Sequence, residues 1–248
     1  MDIYCLVFDD YETLDLMGPV EFLARVHNVK LHYVSQVGGL VRSKQGFHIE
    51  TEKLEHLLPH SVLLAVGGQG TRQLVKDEQF INQLGKWIDE SEVCLSVCTG
   101  SALLACTGRL DSLKATSNKK SFEWVKQCRP AVKWQPVARW VKEGKFYTSS
   151  GVSAGMDMAL GFIADYYGND LAQDIANHTE YHWQKDQMCI RDSIQVATNN
   201  LAKAKGYTYV LDANSVVFAV DGKDITEEVL KSIPATEKAA PAKTEEKK

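Results

Sequence analysis

The segment SVCTGSALLACTG, residues 96–108, is the most informative part of this sequence for the fold. The apolar run EVCLSV at 92–97 is typical of a buried β-strand, and it passes at once into a small-residue helix over 99–108. Cys98 lies at the turn between them. A strand that enters a helix through one sharp turn is typical of a nucleophile elbow, although the spelling Gly-x-Ser-x-Gly is absent. The segment therefore predicts an α/β fold with a cysteine nucleophile.

Strand and helix patterns alternate on both sides of this turn. Strands are predicted at 3–8, 31–37 and 61–66, with a hairpin over 41–52 and a two-stranded excursion over 138–150. Helices are predicted from Pro19 to Asn28 and over 77–91, 119–128, 152–168 and 169–186. This order predicts a mostly parallel sheet with helices on both faces, in which ligands gather at the carboxyl ends of the strands.

Composition excludes several classes of protein. The chain has 248 residues, of which 44% are hydrophobic and 24% charged, as in an ordinary globular protein. A net charge of -4 leaves no basic surface for a phosphate backbone, so nucleic acid is not an expected partner. No apolar run reaches the length of a membrane span, so no membrane partner is expected either.

The six cysteines and the N-terminal residues indicate a compartment. The cysteines have no regular spacing, which favours free thiols in a reducing environment over a disulfide framework. The first residues, MDIYCLVFDDYETLDL, lack the basic region of a signal peptide. We therefore expect a cytoplasmic protein.

A glycine pair and the following helix suggest how Cys98 could be activated. The start of a helix stabilises a thiolate, which predicts a lowered pKa for Cys98. The motif AVGGQG, residues 65–70, ends the neighbouring predicted strand, where the N–H groups of Gly68 and Thr99 could form an anion hole. For an isolated cysteine, a structural role would be favoured, because free cysteines are commonly buried.

A carboxyl group is predicted at the same edge of the sheet. The motif YETLDLMGPVEF, residues 11–22, brings Asp15 and Glu21 beside a Gly-Pro break after the first strand. A partly buried carboxyl there would have a raised pKa and could donate or accept a proton. The alternative is a solvated acid or a helix N-cap. His178 and His182 have the spacing of a helical zinc pair, but Thr179 stands where the zinc signature requires glutamate, so no metal site is predicted.

Five motifs together resemble the ThiJ/PfpI superfamily, in the branch that includes isonitrile hydratase. They are TLDLMGPVEF, AVGGQG, CTGSALLACTGRL, ARWV and TSSGVSAGMDMAL, and the resemblance covers residues 1–187. It implies a flavodoxin-like three-layer sandwich, of the class I glutamine amidotransferase-like type, which is usually a homodimer. It also implies an enzyme that acts on a small molecule without a cofactor.

The resemblance assigns roles to individual residues. It makes Cys98 the nucleophile, Asp15 the acid/base carboxylate and Thr99 the neighbour of the nucleophile. Gly68, Gln69 and Gly100 would bind the substrate or an oxyanion. Protease-like branches have a histidine where Thr99 stands, which argues against peptidase or amidotransferase activity. Some relatives have a histidine where Asn118 stands, so a Cys-His dyad is not supported.

The activity implied is hydration of a small isonitrile to an N-substituted formamide. Two alternatives stay open. One is the processing of a 2-oxoaldehyde such as methylglyoxal through a hemithioacetal on Cys98. The other is a ligand-binding or redox-sensing module, since related domains form part of AraC-type transcription regulators. The sequence shows no helix-turn-helix pair in residues 188–248 to accompany such a role.

The last quarter of the chain has a different character. The string MCIRDS, residues 188–193, resembles the translation of a transposase adapter used in sequencing libraries, and we interpret it as an artefactual junction. A natural C-terminal extension is the alternative. Residues 194–233 resemble the C-terminal part of the OmpH/Skp periplasmic chaperones. Residues 234–248 are predicted to be a disordered tail, because they are rich in Pro, Ala, Lys and Glu.

Overall fold

An eight-stranded sheet forms the centre of this computed structural model. The residues that the structure describes are 1–185, 198, 201–206, 225, 227, 228 and 231. The strands are β1 (Asp2–Leu6), β2 (Lys30–Ser35), β3 (Gly39–Arg42), β4 (His48–Lys53), β5 (Val62–Ala65), β6 (Val93–Val97), β7 (Lys114–Ala115), β8 (Lys133–Trp134), β9 (Trp140–Glu143) and β10 (Phe146–Ser149). The helices are α1 (Thr13–Leu23), α2 (Thr71–Leu74), α3 (Glu78–Glu90), α4 (Gly100–Cys106), α5 (Phe122–Cys128), α6 (Ser153–Tyr167) and α7 (Asn169–His178).

The strand order of the sheet is β3-β4-β2-β1-β5-β6-β10-β9. The inner pairs are parallel, and only the two edges are antiparallel, where β3 pairs with β4 and β9 pairs with β10. Every residue of β5 and β6 is buried, as expected for central strands of a sheet covered on both faces. The small strands β7 and β8, which the sequence did not predict, form a separate pair.

The helices form two groups around the sheet. In one group α6 packs against α1 and α7, and in the other α4 packs against α2, α3 and α5. The flavodoxin-like α/β sandwich predicted from the sequence is therefore confirmed. Among the described helices, none has the length and apolar character that crossing a bilayer would require.

The start of α1 differs from the prediction. The sequence pattern predicts a start at Pro19, but α1 begins at Thr13 and contains Pro19 in its interior. Packing explains the difference, because a Cβ at Gly18 would lie 2.7 Å from Met156 Cγ, so this glycine allows α1 and α6 to approach closely. The burial of residues such as Phe22 offsets the hydrogen bond that proline cannot form. As a result, Asp15 lies in the first turn of a helix.

The chain divides into two units, Met1–Gln187 and Met188–Lys248. The domain predicted over 1–187 stays a prediction. The predicted junction at 188–193 and the predicted tail at 234–248 lie outside the described residues, as does most of the segment 194–233. They stay predictions.

A chain that ends at Asp186 is expected to melt at the same temperature as the full chain. The reason is that the sheet and both helix groups of the first unit are complete by His178. Differential scanning calorimetry of the two proteins measures this. A Tm several degrees lower for the shortened chain would show that the later residues stabilise the first unit.

Candidate active site

The elbow at Cys98 has a strained backbone that three hydrogen bonds hold. β6 ends at Val97 and α4 begins at Gly100, so the predicted strand, turn and helix are present. Cys98 has φ 58°, a left-handed conformation that costs a residue with a side chain about 1–3 kcal/mol. Its N–H donates to the carbonyl of Ser149 at 3.1 Å. Its carbonyl accepts from the hydroxyls of Ser101 at 3.1 Å and Ser117 at 2.9 Å.

Asp15 lies directly beside this elbow, and its side chain is completely buried. Its Oδ2 accepts a hydrogen bond from the Gly67 N–H at 3.1 Å. Its Oδ1 is buried without a hydrogen-bond partner. The carboxyl and the Cys98 thiol are close enough for each to change the pKa of the other. The structure therefore brings together the two residues that the sequence proposed as nucleophile and acid/base.

Burial controls the protonation of both groups. It raises the pKa of Asp15 to about 7, outweighing the Gly67 N–H, which stabilises the charged form. Burial, followed by the charge of Asp15, raises the pKa of Cys98 to about 12, although the Thr99 N–H acts in the opposite direction. The predicted net lowering of the thiol pKa is therefore wrong, because burial and the charge of Asp15 outweigh the Thr99 N–H at the start of the helix. At neutral pH, Cys98 is a thiol beside a carboxyl that readily exchanges a proton.

The two glycines that follow β5 have different surroundings. Gly68 was predicted to contribute its N–H to an anion hole, but this N–H donates to Thr99 Oγ1 at 3.0 Å. The hydroxyl of Thr71 completes the network by donating to the Gly68 carbonyl at 2.7 Å. An anion hole that uses the Gly68 N–H would therefore have to displace the Thr99 hydroxyl.

Gly67 is the glycine that contacts both reactive residues, and the sequence analysis did not single it out. A Cβ at this position would lie 2.6 Å from the Thr99 nitrogen and 2.8 Å from both Asp15 Oδ2 and Cys98 Cβ. Real Cβ atoms do not approach backbone this closely. Only glycine therefore allows the end of β5, the first turn of α1 and the elbow to meet. The Gly-Gly pair in AVGGQG is the sequence feature from which this role of Gly67 could have been predicted.

Gly67→Ala is expected to destabilise the fold by about 1–3 kcal/mol and to separate Asp15 from Cys98. Urea unfolding measures the first effect, and the loss of turnover measures the second. Gly39→Ala is a control: its Cβ would meet nothing within 4 Å, but φ +87° makes the substitution costly in stability. If both variants lost the same small amount of activity, Gly67 would not position the pair.

A second strained residue faces Asp15 from the loop before α6. Val152 has φ 36°, which is unusual for a β-branched residue, and its N–H lowers the pKa of Asp15. A partly buried ion pair lies next to this loop: Arg139 Nε donates to Asp157 Oδ2 at 2.6 Å. Tyr181 Oη donates to the other oxygen of Asp157 at 3.1 Å. These contacts join α6 to the residues after α7, and sequence reasoning missed them.

Other residues singled out from the sequence have structural or solvent contacts. Gln69 is exposed, and Glu21 forms an exposed ion pair with Arg25. Gly100 allows close packing, because a Cβ there would lie 2.4 Å from the Ala65 carbonyl oxygen. Asn118 caps a short turn by accepting from the Ser121 N–H at 3.1 Å. Within the described residues, no group of three or more His, Cys, Asp and Glu side chains could hold a metal ion.

The free energy of unfolding should fall as the pH rises, because Asp15 is buried. Its pKa is about 7 in the folded chain and about 3.9 in an unfolded one, so the folded protein keeps this proton to higher pH. Stability is then lost between about pH 4 and about pH 7, by up to about 4 kcal/mol. Urea titrations across this range should show that Asp15→Asn lacks this part of the dependence. Identical pH dependence in both proteins would contradict a raised pKa.

Comparisons with known proteins match most of the first unit. The model of the DJ-1/PfpI family matches residues 1–165. The isonitrile hydratase of Pseudomonas putida is 31% identical over 183 residues, which are 73% of this chain and 78% of that protein. The solved structure of a ThiJ/PfpI family protein from Pseudomonas syringae superposes with a TM-score of 0.65 at 24% identity. The superposition covers 82% of this chain and 86% of the Pseudomonas syringae protein, and it supports the fold.

The end of the chain is similar to a different family. The model of outer membrane proteins of the OmpH-like type matches residues 168–233, which confirms the resemblance seen in the sequence. Outer membrane protein 26 of Haemophilus influenzae is 92% identical over 48 residues, or 19% of this chain. The chain spans about a quarter of that protein, 24% of its length. The match over residues 1–165 covers most of the chain, and the chain therefore belongs to the DJ-1/PfpI family.

Proposed function

We propose that this protein hydrates a small isonitrile to an N-substituted formamide, with Cys98 as nucleophile and Asp15 as acid and base. The observation that carries the proposal is the buried contact between these two side chains at the carboxyl end of the sheet. The similarity to an isonitrile hydratase supports the choice of substrate. From the family resemblance and the free thiols, we further infer a homodimer in the cytoplasm.

In the first step the thiol adds across the isonitrile carbon. Because Cys98 is protonated, its proton must leave as the sulfur attacks, and the ionised form of Asp15 is placed to accept it. Sγ forms a bond to the terminal carbon, and Asp15 returns the proton to the same carbon. The product is a thioimidate, with a hydrogen on carbon and a double bond to nitrogen.

In the second step water releases the product. Asp15, again a carboxylate, takes a proton from water as its oxygen bonds to the thioimidate carbon, and the nitrogen gains that proton. The carbon-sulfur bond then breaks, and the hydroxyl proton passes by way of Asp15 to the sulfur. The N-substituted formamide leaves, and both residues regain their starting protonation. A pKa near 7 suits a group that must accept and donate in each cycle.

The test is a panel of alkyl and aryl isonitriles, with methylglyoxal as a competing substrate class. Mass spectrometry follows formamides from the first group and lactate from the second. Formation of formamides at enzymatic rates supports the proposal. Lactate alone would favour the 2-oxoaldehyde alternative, and no turnover of any compound would favour a ligand-binding or redox-sensing module.

A further inference from the structure

A second pair of cysteines lies away from the Asp15–Cys98 site. Cys106 ends α4, Cys128 ends α5, and the two helices pack together. Both residues are partly exposed, whereas Cys5 and Cys94 are buried. Both line one cavity of about 370 Å³, which Glu78, Asn82 and Arg129 also line. A small molecule can therefore reach these two thiols.

The two thiols interact with each other and with two arginines. Each lies close enough to change the pKa of the other. Burial raises the pKa of Cys106 to about 11 and also raises the pKa of Cys128. The positive charge of Arg129 opposes this rise at Cys106, and that of Arg72 opposes it at Cys128. Arg72 is held in place by stacking its guanidinium 4.2 Å above the Trp124 ring. Both cysteines are therefore thiols at neutral pH, and disulfide exchange proceeds through the minor thiolate fraction, which the nearby cations increase.

We propose that Cys106 and Cys128 form a redox-active dithiol, which a low-molecular-weight disulfide oxidises to an intramolecular disulfide independently of Cys98. Neither thiol has a role in the proposed hydration. Bond formation requires the sulfurs to approach to about 2.05 Å, starting from positions where both residues already line one cavity.

The exchange balances in two steps. The Cys128 thiolate attacks one sulfur of the small disulfide, which forms a mixed disulfide and releases one small thiolate. The Cys106 thiolate then attacks the Cys128 sulfur, which forms the intramolecular bond and releases the second small thiolate. The two protons that leave the cysteines end on the two released thiols. The protein is thus oxidised by two electrons, and the small disulfide is reduced by two.

The bond would join the two segments that hold the elbow. Ser101 of α4 and Ser117, which precedes α5, both donate to the carbonyl of Cys98. A bond between the far ends of α4 and α5 would therefore cross-link these segments.

The test equilibrates the reduced full chain with mixtures of oxidised and reduced glutathione and then alkylates the remaining free thiols in denaturant. Fragment-ion mass spectrometry should locate one bond, between Cys106 and Cys128, and dithiothreitol should reverse it. Cys106→Ser and Cys128→Ser should each abolish the bond and leave a mixed disulfide on the remaining cysteine. Cys98→Ser should still form it, and Cys5 and Cys94 should stay reduced.

Several results would overturn the proposal. They are two free thiols at every glutathione ratio, stable mixed disulfides on both residues, and a bond from either residue to Cys98 or Cys189. Loss of the bond in Cys98→Ser would show that the pair does not act independently. None of these results bears on the hydration of isonitriles, so the proposal and the proposed function fail separately.

Discussion

Cys98→Ser is expected to lower kcat/KM for isonitrile hydration by about 10⁴-fold or more, with the fold intact. A serine hydroxyl is far less acidic than a thiol and much less nucleophilic, and the buried site would raise its pKa further. The fold should survive, because the hydrogen bonds that hold this strained turn use the backbone N–H and carbonyl of residue 98. Formamide production by both proteins measures the loss of activity, and their circular dichroism spectra test whether the fold is intact.

The matched control for this prediction is Cys106→Ser under reducing conditions. It makes the same change at the other end of α4, and it should keep the turnover of the parent protein. A trapping experiment tests the same step. The parent should accumulate a covalent adduct on Cys98 when a slowly reacting isonitrile is used. A Cys98→Ser variant that hydrates isonitriles at the parent rate would refute the covalent mechanism.

Asp15→Asn is expected to lower turnover by at least about a hundredfold, because it removes the group that moves the proton. The amide keeps the size of the side chain and can still accept from the Gly67 N–H. In the parent, activity should rise with pH through about 7, as Asp15 becomes the carboxylate that accepts the thiol proton. The residual activity of Asp15→Asn should lack this rising limb of the pH–activity profile, which stopped-flow assays across the pH range can measure.

Glu12→Gln provides the matched control for the pH profile. The negative charge of Glu12 raises the pKa of Asp15, so removing this charge should move the limb to lower pH while the maximal rate stays similar. A limb that stays in Asp15→Asn, or moves to higher pH in Glu12→Gln, would assign the titration to another group. Unchanged turnover in Asp15→Asn would exclude it as acid and base.

The sequence was sufficient to predict the elements of the sheet and the closeness of Cys98 and Asp15. Runs such as SVLLAV and EVCLSV must be buried on both faces, which places them inside a covered parallel sheet. Parallel strands end at the same edge, so residues that follow different strands meet there. For this reason Cys98 and Asp15 could be assigned to one site. Pro19 was misleading, because its local preference for the first turn of a helix is weaker than the packing of α1 on α6.

The chemical state of the site depended on tertiary structure. A lowered pKa for Cys98 follows from its local position before a helix, yet burial by distant segments and the charge of Asp15 reverse the direction. The partner of the Gly68 N–H and the need for glycine at position 67 likewise arise from contacts with α1 and the elbow. Hydrophobic patterns act within one element and are visible in sequence, whereas desolvation and close approach depend on all the elements that surround an atom.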